Sequence, residues 1–120
     1  MKRIILEMGT GNDLYGEDYT KAACRAVDDA LHHSSITLFR SLGYDPAMMD
    51  VKVTVGVQSP ESVSLKRVSG RLPHGKVVVK AVRGGLNVVD TDNNTISVIA
   101  TAAVEAYIAI DETKWIPPRK

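Results

Sequence analysis

The chain has 120 residues, 44% hydrophobic and 24% charged, with a net charge of +1; this is one domain of ordinary globular composition, able to bury about two-thirds of its unfolded surface. Its single cysteine, Cys24, excludes an internal disulfide and a zinc finger, and no hydrophobic run reaches the length of a signal peptide or membrane span. A cytoplasmic location is expected, and with only 5% aromatic residues the core must be built from Val, Ile, Leu and Ala.

Residues 3–8 are mostly apolar without helical period and predict a strand. Three glycines follow in eight positions (Gly9, Gly11, Gly16), which predicts a loop leading into a helix. The helix is expected over 18–42. Ala23, Val27, Ala30, Leu31, Leu38 and Leu42 recur at spacings of three, four and seven, while Lys21, Arg25, Asp28 and His32 fall opposite; Asp18 can cap its start and Gly43 ends it. Residues 51–57 alternate valine with Lys52, Thr54 and Gly56, a strand with one polar face. A short helix is expected over 62–71 and a strand over 77–82, broken or bulged at Gly84-Gly85 and continuing through 86–89. "DTDNN" is a turn. From Ile96 onward the β-branched alternation favours a long strand, with a helix over 100–109 as the alternative.

This order predicts an α+β fold: a single mixed sheet with a long and a short helix on one face, over residues 1–112, followed by an extended tail over 113–120 in which Trp115 docks. Ala22, Ala23, Ala26 and Ala30 allow the long helix to lie close on the sheet. The opposite sheet face is left for a second copy of the protein.

Charge is segregated. No acid lies between Glu61 and Asp90, a window holding Lys66, Arg67, Arg71, Lys76, Lys80 and Arg83; against a total of +1, these six leave −5 elsewhere. Such a window is either a solvated basic face or a surface for an anionic ligand, a nucleic acid or the acidic part of a neighbouring copy. Nucleic acid is the weakest of these, since the window has no aromatic residue on which a base could stack. Neither a nucleic-acid nor a membrane partner is expected.

The segment Gly9-Thr10-Gly11-Asn12-Asp13-Leu14-Tyr15-Gly16 stands where backbone N–H groups and a helix N-terminus converge. It is neither the dinucleotide fingerprint, because its third glycine is one residue late, nor a P-loop. Asp13 disfavours a phosphate cradle; its carboxylate suits a metal ion, an amide donor on a ligand, or general-base work, with Glu7 and Asp18 near in sequence. Alternatively Asn12 and Asp13 are turn formers and the glycines supply positive φ. No cofactor or metal is assigned. Candidate catalytic residues are Asp13, His33 and Ser34. Candidate ligand-binding residues are Gly9, Gly11, Asn12, Asp13, Gly16, Arg83, Gly84, Gly85 and Glu105. Glu105 is a lone acid in an uncharged stretch and needs a partner, for which Lys52, Lys80 or Arg83 would serve.

The motif "GTGNDLYG" resembles the signature G-x-G-x-D-x-H-G of a small uncharacterised family found in bacteria, cyanobacteria and plants. "KAACRAVDDALHHSSI", "VTVGVQSPESV", "LPHGK", "VRGGL" and "ATAAVEAYI" extend the resemblance over nearly the whole chain. Tyr15 stands where the family pattern has histidine. At the level of fold alone, the layout is similar to one repeat of ring-opening amidohydrolases such as cyanuric acid hydrolase and barbiturase, built from three like units around a shared site. Their Ser-Gly-Gly elements are not matched; Arg83-Gly84-Gly85 is the nearest. The family carries no established activity. The uncovered sheet face and the segregated charge predict a homo-oligomer in head-to-tail contact, a trimer or a larger assembly of trimers, with Asp13 of one chain near the basic residues of the next; the three-unit amidohydrolases point by analogy to the same number. The ligand would be small and polar or anionic, and hydrolysis of a cyclic amide is the sharpest version. The alternative is a non-catalytic binding or regulatory module, or a structural assembly subunit.

Overall fold

The computed structural model describes residues 2–32, 49–72 and 75–108. Their elements are strand β1 (Lys2–Asp13), helix α1 (Tyr19–His32), strand β2 (Asp50–Val57), a 3-10 turn (Pro60–Ser62), short helix α2 (Leu65–Ser69), and strands β3 (Lys76–Arg83), β4 (Leu86–Asp90) and β5 (Thr95–Ile108). The sheet runs β1-β5-β2-β3, and β4 also pairs with β5. β5 is antiparallel to β1, β2 and β4, whereas β2 and β3 are parallel. This is the expected α+β architecture: a mixed sheet with helices packed on one face.

β5 is the spine of the sheet. Along one side it pairs with β1 from Lys2↔Ile108 to Asp13↔Val98. Along the other it meets β2 over Gly56↔Thr101 to Asp50↔Tyr107, and then β4 over Leu86↔Ile99 to Asp90↔Thr95. The helical alternative for this segment is therefore not realised over residues 100–108. The last rungs of the β4–β5 hairpin, Val88↔Ser97 to Asp90↔Thr95, extend past the end of β1. Residues 86–89 do not prolong β3. The chain turns at Gly84-Gly85, where Gly85 has φ +63° and a Cβ would strike the Ile99 carbonyl, so the apparent continuation is a separate strand.

Alternation sorts the sheet into two faces. Val51, Val53, Val55 and Val57 of β2 point with Val98, Ala100, Ala102, Val104, Ala106 and Ile108 of β5 toward α1, and all are buried. Each fully buried valine contributes roughly 1.5–3 kcal/mol. α1 adds Ala22, Ala23, Ala26, Val27 and Ala30, while Lys21, Arg25 and His32 remain exposed, as the periodicity predicts. Asp18 caps the helix, its Oδ1 accepting from the Lys21 N–H at 3.0 Å. Buried Thr20 ties the next segment down: its hydroxyl donates to the Ser62 carbonyl and accepts from the Ser64 N–H. Ser64 then caps α2 through the Arg67 N–H.

The expected glycine loop is corrected. Gly9, Gly11, Asn12 and Asp13 lie in β1, which runs five residues beyond the apolar stretch. Neither Gly9 nor Gly11 has positive φ. A Cβ on Gly9 would stand 2.5 Å from the Ala26 carbonyl oxygen and closer still to the Ala30 nitrogen; on Gly11 it would stand 2.6 Å from the Ala22 carbonyl oxygen. The glycines therefore admit the helix backbone against the strand. The end of the predicted helix beyond His32 lies outside the described residues, as do His33, Ser34 and Trp115.

Gly9→Ala and Gly11→Ala should each cost more than about 2 kcal/mol, because the obstructing atoms are backbone and cannot swing away. Thr10→Ala, at the exposed position between them, should change stability by less than about 0.5 kcal/mol. Urea unfolding monitored by circular dichroism gives all three values.

Candidate functional site

Asp13 ends β1 with only 6% of its surface exposed. Its Oδ2 accepts from the Gly16 N–H at 3.1 Å and the Asp18 N–H at 3.0 Å. Its Oδ1 lies 3.9 Å from Lys21 Nζ and 3.7 Å from an Arg25 guanidinium nitrogen. This is the work of a turn former: the carboxylate gathers the strand-to-helix connection and places Asp18 to cap α1. A Cβ on Gly16 would stand 2.9 Å from Asp13 Oδ2, so the absence of a side chain there keeps the carboxylate accessible to the backbone.

Around this turn, Asn12, Asp13, Leu14, Tyr15, Gly16, Asp18, Lys21 and Arg25 line a cavity of about 470 Å³. Tyr15 is 77% exposed at its edge. A second depression, of about 580 Å³, crosses the sheet face away from α1 and wraps over the β1 edge. It is lined by Met8, Gly9, Thr10, Asp29, Thr54, Gly56, Val82, Arg83, Gly84 and residues 101–103. The structure thus divides the predicted ligand-binding residues. Asn12, Asp13 and Gly16 meet in the first cavity; Gly9, Arg83 and Gly84 meet in the second; Gly11, Gly85 and Glu105 line neither. Thr10, Thr54 and Thr101 of the second cavity were signalled in the sequence only by the polar alternation of their strands. The Gly84 and Gly85 carbonyls accept from the Gln58 side-chain amide at 3.1 and 3.3 Å, which fixes the β3–β4 turn at the rim.

Glu105 finds a different partner from those expected. Its Oε2 accepts from Arg3 at 3.3 Å and from the Tyr107 hydroxyl at 2.6 Å, because the register places Arg3 and Tyr107 on the same face. Lys52 lies opposite on β2 and adds only its field. The Tyr107 bond first, and Arg3 second, hold the Glu105 carboxyl below its ordinary value; the same bond raises the Tyr107 phenol. Among the described residues no three of His, Cys, Asp and Glu gather as metal ligands, and no helix is long and apolar enough to cross a membrane.

A one-sided α+β sheet with a glycine-crossed helix and an aspartate-anchored turn defines the class of protein. The chain belongs to a family of conserved hypothetical proteins, Lin0512_fam, whose model matches residues 3–106. No curated protein matches it. It is similar to an FtsZ-like protein of unknown function from Nostoc punctiforme PCC 73102, solved by crystallography at 1.22 Å resolution. That similarity covers 91% of this chain and 97% of the other, with 34% identity and a TM-score of 0.80.

Two measurements follow. Asp13→Ala, which strands two N–H groups, should cost about 2 kcal/mol or more, and Asp13→Asn, which keeps an acceptor oxygen, about 1 kcal/mol or less; denaturant titration compares them. Tyr107→Phe should raise the Glu105 pKa toward the ordinary 4.5, read by carboxyl NMR titration. A depressed carboxyl pKa contributes stability present above the unfolded value and lost as pH falls through the folded one. The gap between wild type and variant is therefore open at neutral pH and should close as pH falls below the ordinary carboxyl value and through the depressed one.

Proposed function

We propose that the protein is the subunit of a homo-oligomer whose copies meet through the open sheet face and enclose between them a site for a small polar or anionic ligand. The observation that carries this reading is the exposure of large apolar side chains on that face. Met8 is 70%, Val78 66% and Leu86 55% exposed, with Leu6, Val82 and Val88 beside them. Contiguous apolar surface on an isolated chain marks a contact surface. A second copy is the fitting occupant, because the face carries a surplus of cations and acids stand elsewhere on the chain. Arg3, Lys52 and Lys80 share the face with Glu105, whose carboxylate Arg3 and Tyr107 already hold, so the cations left over can meet the acids of a neighbouring copy.

The depression at the middle of this face has a different character. The threonines 10, 54 and 101 line it, with Asp29 and Arg83 as its charged members and Gly56 and Gly84 lowering its floor. A partner copy laid over the face would shield the three hydroxyls from water and strengthen their hydrogen bonds to a polar ligand. Lys76, Lys80 and Arg83 all belong to the edge strand β3, which favours a head-to-tail contact and hence a closed ring, three being the smallest beyond two-fold pairing. Asp13 takes no part, since its carboxylate is engaged by its own chain.

Light scattering at micromolar protein and moderate salt should give a mass of three subunits for the wild type. Met8→Lys combined with Val78→Glu should shift the mass to one subunit without altering the circular dichroism spectrum, as both positions are exposed. A monomeric wild type would overturn the reading.

A further inference from the structure

On the side of the molecule that bears the helices, α1 and α2 pack against one another and leave a cavity of about 430 Å³ between them. It is lined by Lys21, Cys24, Arg25, Arg67, Gly70 and Arg71: four cations and no acid. Lys21 and Arg25 stand one turn apart on α1, and Arg67 and Arg71 four residues apart on the facing segment. We propose that this groove is a binding site for a small polyanion carrying two or more phosphoryl groups.

The cations are already arranged for such a ligand. Arg71 is held by Asp28, whose Oδ1 accepts from Arg71 Nε at 3.0 Å and whose Oδ2 takes a terminal nitrogen, so its guanidinium is oriented before anything binds. Arg25 donates to the Asn12 carbonyl at 2.6 Å, which fixes its stem and leaves other donors for a ligand. Lys21 has only the 3.9 Å approach of Asp13, and Arg67 has no ion pair among the described residues. Asp13 and Asp28, which offset part of this charge, lie outside the lining, so a ligand in the groove meets the cations first. Guanidinium forks match phosphoryl oxygens two at a time, and clustered cations reward a ligand whose charges are clustered too. Gly70 keeps the floor open between the two arginines.

Cys24 reports on the groove from within. Burial lifts its thiol pKa, Arg71 and then Arg67 pull it back, and the weaker fields of Asp28 and Asp18 raise it again, so both guanidinium fields reach the sulfur. A bound polyanion would cover the thiol and cancel those fields, and both effects slow its alkylation. The site faces away from the open sheet face and does not depend on assembly.

The test is alkylation of Cys24 by iodoacetamide, a neutral reagent, at pH 8 and low ionic strength, with and without tripolyphosphate. Tripolyphosphate should slow the reaction at least fivefold, and calorimetry should give a matching saturation. Arg67→Ala, which removes an exposed side chain without an ion pair, should weaken that saturation at least tenfold, and Lys21→Ala with Arg67→Ala should abolish the protection. Citrate at equal charge should protect at least tenfold more weakly. Absent protection, or protection that survives the double substitution, would overturn the site; citrate equal to tripolyphosphate would overturn the phosphoryl preference. A monomeric wild type, which defeats the oligomer, leaves this result unaffected.

Discussion

Everything in this fold depends on how closely α1 lies on β1. Two strand glycines and three helix alanines remove every Cβ larger than a methyl from the crossing, so backbone meets backbone at Gly9 and Gly11. A close approach maximises dispersion contacts between two elements that have few large side chains. It also brings the start of the helix within reach of the strand's last residue. Asp13 can then gather the Gly16 and Asp18 N–H groups, and Asp18 can cap the helix. The helix is thereby set over β1 and β5, and the remaining sheet face is left to the surface.

The same constraint accounts for the family motif. Its first two glycines belong to the helix crossing, its aspartate anchors the turn, and its last glycine passes beside that carboxylate. Four of the five fixed positions therefore have an architectural reason in this chain. Tyr15, at the fifth, is exposed at the edge of a cavity and takes no such part. A motif can be specific to a family because it specifies a fold, and conserved-looking spacing alone does not separate that case from chemistry.

Much of the architecture was legible from periodicity. Valines at every second position of β2 mark its buried face, and the alternation from Ile96 onward marks β5 in spite of its helix-favouring alanines. What misled was glycine. Between a strand and a helix it has two uses, freedom of φ and lack of volume, and only the position of the helix backbone tells which is at work. Gly9 and Gly11 use the second, while Gly85 uses the first. The candidate site was legible only in fragments for a related reason. Arg67 and Arg71 belong to the basic window, but Lys21 and Arg25 are more than forty residues away on the solvent side of a helix. No local pattern could have joined them. Glu105 illustrates the same limit: its need of a partner was plain from the sequence, but the register that selects Arg3 and Tyr107 was not.

The strand β5 outlasts its neighbours, and this has a consequence for how the chain tolerates change. Past Val98 it has left β1, past Thr101 it has left β2, and its first rungs pair with β4 alone, with the Ser97 hydroxyl donating to the Leu14 carbonyl at 3.1 Å as a tie to the body of the fold. A two-stranded ribbon has little stability of its own, so the tip around residues 91–94 contributes little to holding the domain together. Longer turns cost only slowly increasing entropy. The tip is thus the place where this architecture can accept inserted residues, and a lineage that needed a new recognition element could grow one there without disturbing either the helix crossing or the open face.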